Sequence, residues 1–411
     1  MSADGTPPRM MPNNIIRFSN RTGWDPSPNR LSLELDRLRA EGRTFIDLTQ
    51  ANPTTAELGH PDEEVLAALT DPRALKYEPD PKGQFVARQA VATVYAQRHA
   101  AVSPEDIVLT SSTSEAYSFL LRLLCNPGDR VMVPRPSYPL FDYLCDLNDV
   151  YPDRYRLYHD GRTWRTDLAY LEERFENTRA LFVVNPNNPT GSSPDGAERA
   201  GLERLCAREG SAIISDEVFL DFPMDPQRRL VTMAGSKQTL TFTLGGVSKA
   251  AGLPQMKLAW IVVSGPEALK NEALRRLEIV ADTYLSPSAP AQLALPSWLE
   301  RGCAYREAAL RRVRANRQEL SRRIGESGSG VELLECDGGW YATLQLKACF
   351  DEEAFVVDLL RERQVLVHPG YFYEFEGGHH LVLSLLAPQA VFAEGVGHLV
   401  SALGGQNIKV K

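Results

Sequence analysis

The chain has 411 residues, which is enough for about two domains of ordinary size with large buried cores. Hydrophobic residues make up 43% and charged residues 24% of the sequence, a composition typical of folded globular proteins and not of disordered chains. Lys and Arg number 45 against 53 Asp and Glu, so the net charge is −8, and no long block of one sign indicates a nucleic-acid partner.

We find no membrane or export signal in the sequence. Residues 1–14 are rich in Pro and Asn and lack an apolar stretch, so we expect a loose N-terminal arm. The longest uncharged stretch, residues 283–299, is interrupted by three prolines. Six cysteines occur without a CxxC pair or a histidine at metal-ligand spacing. We therefore predict a cytoplasmic protein with no membrane partner, no disulfide and no metal site.

Between residues 60 and 290, short apolar runs alternate with helical patterns. Six runs are predicted as strands: 107–109, 131–133, 181–184, 212–215, 241–244 and 258–263. Continuous apolar strands indicate burial on both faces, so we predict an α/β domain with a mostly parallel sheet flanked by helices. Helices are predicted at 114–125, 168–174 and 266–284.

The pattern changes after residue 290. A long helix over 290–324 is predicted to lead into a smaller α+β domain, whose strands are predicted at 331–334, 341–346 and 381–386 and whose helices are predicted at 352–363 and 390–403. The resulting division is an arm (1–14), a segment that joins the small domain (15–59), a large α/β domain (60–290) and the connecting helix with the small domain (291–411).

Common catalytic templates are absent: the sequence has no GxSxG, Walker A, HExxH or GxGxxG motif. Four other features follow predicted strands, at the sheet edge where open α/β proteins bind ligands. The first is the run from Ser111 to Ser114 before a helix, where hydroxyls and free backbone N–H groups favour an anion such as phosphate. The alternative interpretation is an ordinary helix cap with Glu115 in the first turn.

The other three features follow later strands. Residues 185–191, Asn-Pro-Asn-Asn-Pro-Thr-Gly, form a rigid turn that can present an amide to a ligand. Asp216 ends a strand as a carboxylate, with a helix cap as the alternative. Lys249 follows a glycine-rich strand exit, where burial would make its amine a nucleophile, and an ordinary surface lysine is the alternative.

In their order and spacing, these four motifs resemble the class I/II aminotransferase family, whose members are fold type I pyridoxal-phosphate enzymes. The resemblance extends from about Asn20 to the end of the chain. It implies pyridoxal 5'-phosphate as the cofactor, with Lys249 forming the Schiff base and moving the proton at the substrate carbon. It also implies that Asp216 pairs with the pyridine nitrogen and that Asn188 donates to the phenolic oxygen of the ring.

The resemblance assigns further cofactor contacts. Ser112, Thr113 and Ser114 match the phosphate-binding residues, and Tyr138 matches the aromatic residue that stacks on the ring. Tyr77 matches a tyrosine that contacts the phosphate of the neighbouring subunit, which implies a homodimer with shared active sites.

Several positions depart from the family pattern around the cofactor. Phe219 replaces the usual tyrosine three residues after the aspartate, so we expect the phenolic oxygen of the cofactor to lose one donor. Lys257 replaces a phosphate-binding arginine, and Gly246 replaces a serine that contacts the phosphate.

Two departures concern the substrate. Val382 stands where the family arginine binds the α-carboxylate, two residues before Ser384, which leaves Arg135 or His380 as possible substitutes. His379 and His380 are interpreted as a surface turn. Asp282 replaces an arginine found in aspartate-specific relatives, which disfavours dicarboxylic substrates.

The leading hypothesis is therefore an aminotransferase that exchanges an amino group between an amino acid or amine and a 2-oxo acid. The first alternative keeps the cofactor but catalyses decarboxylation, elimination or bond formation, because Val382 and Phe219 depart from the family. The second alternative is a non-catalytic binding protein on the same scaffold. It is disfavoured because both Lys249 and Asp216 are present.

Overall fold

The computed structural model describes residues 16–59, 62–346 and 351–405. The strands are β1 (Ile46–Asp47), β2 (Ile107–Thr110), β3 (Arg130–Arg135), β4 (Tyr151–His159), β5 (Trp164–Thr166), β6 (Thr178–Val184), β7 (Ala212–Asp216), β8 (Thr241–Gly246), β9 (Ala259–Ser264), β10 (Val331–Leu333), β11 (Tyr341–Leu346), β12 (Val365–Leu366), β13 (His368–Pro369) and β14 (His379–Ser384). The helices are α1 (Arg30–Ala40), α2 (Asp62–Ala67), α3 (Phe85–Gln97), α4 (Thr113–Leu124), α5 (Phe141–Leu147), α6 (Leu168–Arg174), α7 (Gly196–Glu209), α8 (Val247–Ala250), α9 (Glu267–Tyr284), α10 (Ala289–Ser327), α11 (Glu352–Arg363) and α12 (Gln389–Gly405).

The large sheet has eight strands in the order β2-β9-β8-β7-β6-β3-β4-β5. The run from β8 to β4 is parallel, whereas β9 is antiparallel to both of its neighbours and β5 is antiparallel to β4. Strands β2, β8 and β9 are buried along their whole length, as expected for strands covered by helices on both faces. The predicted α/β fold with a mostly parallel sheet is confirmed.

The small sheet is antiparallel, with the order β10-β11-β14-β13. The N-terminal segment joins this part of the chain, because β1 pairs in parallel with β12. Along the chain, the large and small sheets are connected by α10, a helix of 39 residues with Pro296 inside it. A hydrophobic cluster packs under the small sheet and includes Trp340 and Phe355, while three other clusters cover the faces of the large sheet.

The predicted N-terminal arm, residues 1–14, is outside the described residues, and so is Cys349. Within the described ranges, no helix is long and apolar enough to cross a bilayer.

Candidate active site

The amine of Lys249 lies between the two sheets. Strand β8 leads directly into α8, which carries the lysine in its single turn. Lys249 Nζ is 4.7 Å from the ring centroid of Trp340 and 5.7 Å from that of Phe219. Burial lowers the pKa of the amine to about 8, although the nearby carboxylate of Asp216 acts in the opposite direction. Lys249 is therefore a partly buried amine with a lowered pKa, and not an ordinary surface lysine.

Asp216 ends β7 beside this lysine. Its Oδ1 accepts a hydrogen bond from the backbone N–H of Val218 at 3.2 Å, and its Oδ2 accepts one from the hydroxyl of Tyr117 at 3.3 Å. Burial raises the pKa of the carboxyl to about 6. A turn, and not a helix, follows Asp216, so the helix-cap interpretation is wrong. The aspartate is a buried carboxylate held by two donors.

The Asn-Pro turn is held against the small-sheet region. The carbonyl of Gly191 accepts hydrogen bonds from the backbone N–H groups of Asp337 and Gly338, at 2.9 and 3.0 Å. Gly191 has φ of +68°, which a glycine adopts at low cost. Asn188 is buried and hydrogen-bonds the hydroxyl of Tyr341, while its Oδ1 is fully buried without a partner. A buried amide with unused capacity is expected where a ligand completes the site.

The N-terminus of α4 is formed by reciprocal capping. The hydroxyl of Ser112 accepts a hydrogen bond from the backbone N–H of Glu115 at 3.1 Å, and the Glu115 carboxylate accepts one from the backbone N–H of Ser111 at 2.7 Å. The helix-cap interpretation of this run is therefore correct, and it is compatible with anion binding. Thr113 and Ser114 lie in the first turn, where free N–H groups and the helix dipole attract anions.

Lys257 lies close to this helix terminus. The antiparallel register pairs Thr110 of β2 with Ala259 of β9. Ser112 follows Thr110 by two residues and Lys257 precedes Ala259 by two residues, so both lie at the same end of this strand pair. Lys257 is exposed and has φ of +50°. Its ammonium group would add positive charge to an anion site at the start of α4.

Two predicted tyrosines have different environments. Tyr138 follows β3, is 48% exposed and lies near the hydroxyl groups of Tyr341 and Tyr373, whose pKa values it helps to raise. Tyr77 is 81% exposed on the loop that precedes α3. The described contacts within one chain do not bring Tyr77 together with the other candidate residues.

Two of the positions that depart from the family, Gly246 and Phe219, are closely packed. A Cβ atom at Gly246 would come within 3.1 Å of the Ala259 Cβ atom, so a serine would be crowded against β9. Phe219 is buried, and its ring lies 5.2 Å from that of Trp340 and 6.1 Å from that of Tyr341. Both aromatic neighbours favour an apolar ring at this position.

The two cations considered as substitutes for the missing arginine are already engaged or uncharged. Arg135 donates from Nε to the carbonyl of Glu374 at 3.0 Å and forms an ion pair with Glu376 at 3.1 Å. His380 stacks on Phe375 with ring centroids 4.2 Å apart, and burial lowers its pKa to about 4. The surface-turn interpretation of His379 and His380 is wrong, because both residues belong to β14 and His380 is only 4% exposed.

Three residues around Lys249, Phe219 and Asp216 are not predicted by the sequence: Tyr117, Trp340 and Tyr341. Tyr341 and Trp340 follow a Gly-Gly pair just before a predicted strand, which was the only available signal. Tyr117 is an unremarkable residue of a helix, and its contact with Asp216 depends on how α4 packs on the sheet.

Comparison with known proteins identifies the family. The model of the family named aminotransferase class I and II matches residues 43–384. The chain belongs to the class I and II aminotransferases. Members of this family with this fold use pyridoxal phosphate, and the chain is a pyridoxal-phosphate-dependent transaminase.

Individual relatives agree with this assignment. The chain is 28% identical to an alanine aminotransferase of Mycobacterium tuberculosis over 362 residues, which covers 85% of this chain and 83% of that protein. It is 26% identical to the glutamate-pyruvate aminotransferase AlaA of Escherichia coli, with coverages of 84% and 87%. Among solved structures, an alanine aminotransferase from Pyrococcus furiosus superposes with a TM-score of 0.85 at 22% identity, covering 94% of this chain and 99% of that one. That structure supports the fold type I architecture.

The residues around Lys249 fit pyridoxal phosphate. The amine of Lys249 makes no hydrogen bond or ion pair with the described residues, so it is available for a carbonyl group. Asp216 supplies a carboxylate, Asn188 carries a buried side-chain amide whose NH2 group is the donor for a phenolic oxygen, and α4 offers N–H groups and hydroxyls to a phosphate. In that order, they suit the aldehyde, the ring nitrogen, the phenolic oxygen and the phosphate of pyridoxal phosphate.

Proposed function

We propose that this aminotransferase bonds its cofactor at Lys249 and exchanges an amino group between an amino acid and a 2-oxo acid. The observation that carries the proposal is the environment of the Lys249 amine, which lies beside Trp340 and Phe219 with a pKa of about 8. Such an amine is partly neutral at physiological pH, and only a neutral amine attacks a carbonyl.

Each neighbouring residue has a proposed role. When bound, pyridoxal phosphate supplies an electron sink for the bond broken at the substrate carbon. Lys249 Nζ would take up and give back the proton that moves at that carbon during amino-group transfer. The Asp216 carboxylate would hold the pyridine nitrogen in its protonated form, and Tyr117 and Val218 hold that carboxylate in place.

The remaining groups bind and orient. Asn188 contributes its amide to the phenolic oxygen, and Tyr138 covers the ring. Ser112, Thr113, Ser114 and Lys257 bind the phosphate at the N-terminus of α4. Trp340 and Phe219 exclude water from the amine, which keeps its pKa low.

We propose the substrates from the names of two relatives and from Asp282, which departs from the family pattern. The names of two relatives, alanine aminotransferase and glutamate-pyruvate aminotransferase, suggest alanine, glutamate and pyruvate as first substrates to test. Asp282 is exposed at the end of α9. By the family resemblance it stands where aspartate-specific relatives have an arginine, and a negative charge there would repel the second carboxylate of a dicarboxylic substrate. We therefore expect alanine to react faster than glutamate or aspartate.

A half-reaction tests the function. The purified protein, loaded with pyridoxal phosphate, is mixed with single amino acids, and both its absorption spectrum and the released 2-oxo acid are measured. One equivalent of 2-oxo acid per site, together with the amine form of the cofactor, supports transamination. Release of carbon dioxide or ammonia without the amine form would instead favour the lyase or decarboxylase alternative.

We also propose a homodimer with shared active sites. Large apolar side chains are unusually exposed near the start of α3 and the end of α9: Leu75 (93%), Tyr77 (81%), Phe85 (54%), Tyr284 (49%) and Leu285 (67%). The two regions are linked, because the Gln292 side chain accepts a hydrogen bond from the backbone of Gln84 at 2.6 Å and donates one to the carbonyl of Pro287 at 2.5 Å. Such a patch is typical of an interface between protein chains.

Subunit mixing tests the shared site. Tyr77→Phe removes a phosphate contact in trans, and Lys249→Ala removes the amine in cis. If sites are shared, a hybrid of the two variants contains one site with neither substitution, and half of the wild-type activity is recovered per hybrid dimer. Sedimentation that shows only monomers would exclude the dimer.

The cytoplasm is the proposed location. The thiols of Cys125, Cys145 and Cys206 are unpaired, and burial raises their pKa values. Free buried thiols are the usual state of cysteine in a reducing compartment.

A further inference from the structure

One face of the small sheet is turned toward the catalytic lysine. In the antiparallel register, Thr343 of β11 lies opposite Val382 of β14, and His368 of β13 lies opposite the same valine on its other side. Directly opposite residues share a face, so Tyr341, Thr343, Val382 and His368 project on one side of the sheet. The residues between them belong to the hydrophobic cluster on the opposite side: Ala342, Leu344, Leu381 and Leu383.

Two contacts place this face beside the site. Thr343 Oγ1 donates a hydrogen bond of 3.4 Å to the carbonyl of Pro189, the residue after Asn188. The Tyr341 ring lies 6.1 Å from the Phe219 ring, which is itself 5.7 Å from Lys249 Nζ. A substrate held next to the lysine amine is therefore bordered by this face.

The face carries no permanent positive charge. Among its described residues in the four strands of the small sheet, the ionisable side chains other than tyrosine are Glu332, His368 and His380, and none is Lys or Arg. Val382 is only 1% exposed and is apolar. A carboxylate that leaves water for such a surface loses its hydration without gaining an ion pair, so it requires at least one hydrogen-bond donor.

His368 is the residue that can supply this donor. Its Nδ1 lies 2.9 Å from the hydroxyl of Tyr373. Burial raises the pKa of Tyr373, so the hydroxyl keeps its proton and can donate it to Nδ1. When Nδ1 of a neutral histidine accepts a hydrogen bond, the ring proton is on Nε2. Nε2 makes no hydrogen bond with any residue in the described ranges and is not among the fully buried polar atoms.

We infer that His368 binds the carboxylate of the substrate through Nε2–H, in the position where β14 offers only Val382. The inference rests on the proposed function and names a residue that determines its specificity. A single donor on one histidine binds a carboxylate less tightly than a bidentate guanidinium group. The site should therefore depend more strongly on contacts with the rest of the substrate, which Tyr138, Tyr341 and Tyr373 border.

Substitution of the histidine gives the direct test. His368→Phe keeps an aromatic ring next to Phe372 and Tyr373, which lie 5.5 and 5.9 Å away, but removes the donor. We expect KM for the amino acid and for the 2-oxo acid to rise about 10- to 100-fold, the loss expected for a hydrogen bond to a charged group, with kcat changed less than about threefold. His368→Gln retains an N–H donor and should recover most of the affinity.

Three controls separate carboxylate binding from a structural effect. His380→Phe changes the other buried histidine of the same face, which stacks on Phe375 and lies farther along β14, and should leave KM unchanged. Ethylamine, which lacks a carboxylate, should react equally slowly with the wild type and with His368→Phe. Val382→Arg combined with His368→Phe should restore tight binding of the amino acid.

Calorimetry with propionate tests the same inference without turnover. Propionate carries the carboxylate but no amino group, and we expect His368→Phe to bind it at least about tenfold more weakly than the wild type does, with His368→Leu as the second variant if the first does not fold. Unchanged propionate affinity and unchanged KM in a folded variant would overturn the role of His368. Absence of any transamination in the wild type would overturn the proposed function, whereas the propionate comparison would still decide whether His368 binds carboxylates.

Discussion

The edge of the large sheet and the facing side of the small sheet form the two sides of one site in different ways. At the large sheet, Asp216 ends its own strand and Lys249 follows its own strand by three residues. On the small sheet, Tyr341, His368 and Val382 come from three strands and alternate with core residues. The residues of the first side stand in short continuous sequence motifs. The residues of the second side can be recognised as neighbours only when the register of the strands is known.

The first side should hold the covalent chemistry, so the largest effect is expected at Lys249. Lys249→Ala should reduce kcat at least about 1,000-fold, since it removes both the covalent attachment and the general base. The melting temperature and the sedimentation of the variant should stay close to those of the wild type. Exposed Lys237 provides the matched control, and Lys237→Ala should retain full activity. Wild-type activity in Lys249→Ala would remove the central assignment.

The second-largest loss of activity is expected at Asp216. Asp216→Asn preserves the shape of the side chain, but it removes the negative charge and replaces one of the two oxygens that accept from Tyr117 and Val218 with an NH2 group. We expect kcat to fall roughly 10- to 100-fold, as for loss of a hydrogen bond to a charged group. The control is Asp225→Asn, an exposed aspartate in the loop that follows. Equal activity of Asp216→Asn and the wild type would mean that the carboxylate does not contact the ring nitrogen.

The pH dependence of cofactor binding reports on the same side of the site. Because burial lowers the pKa of Lys249 to about 8, the amine is protonated and unreactive below that pH and neutral above it. The rate at which the apoprotein combines with pyridoxal phosphate should rise with pH, about tenfold per unit below pH 8, and level off above it. Stopped-flow absorbance measures this rate. A rate that still rises steeply at pH 10 would show an ordinary exposed lysine.

The smallest effect is expected at the boundary between the two sides. Phe219→Tyr places a hydroxyl near the cofactor, where it can donate to the phenolic oxygen. That donor stabilises the deprotonated form of the lysine-bound cofactor, so its spectral transition should move to lower pH. Phe222→Tyr is the control, since Phe222 also packs against Trp340 but makes no described contact with the lysine. A transition at unchanged pH would mean that Phe219 does not face the phenolic oxygen.

The sequence was sufficient for the inner strands of the large sheet because those strands are continuous apolar runs. It did not predict β4 and β5, the strands at one edge of the sheet. Strand β4 carries Asp153, Arg154 and Arg156, and most of its residues are half-buried or exposed. Its sequence therefore contains no continuous apolar run that would predict a buried strand. The predicted small-sheet strands and helix α11 agreed with the structure to within a few residues.

The same contrast limits prediction of the site. Lys249, Asp216 and Asn188 can be predicted as site residues because each stands in a local motif at a strand end. His368 could not be recognised from its neighbours in the sequence, since its significance comes from lying opposite Val382 on another strand. Tyr117 likewise depends on the packing of α4, which brings its hydroxyl to Asp216. Residues whose role depends on tertiary contacts cannot be predicted from the spacing of residues in the sequence.

Chemical trapping of the cofactor tests the central claim most directly. The protein loaded with pyridoxal phosphate is reduced with sodium borohydride, digested, and analysed by mass spectrometry for the lysine that carries the added cofactor. The account predicts stoichiometric modification of Lys249 in the wild type and loss of the modification in Lys249→Ala. Modification of a different lysine, or no covalent attachment at all, would contradict it.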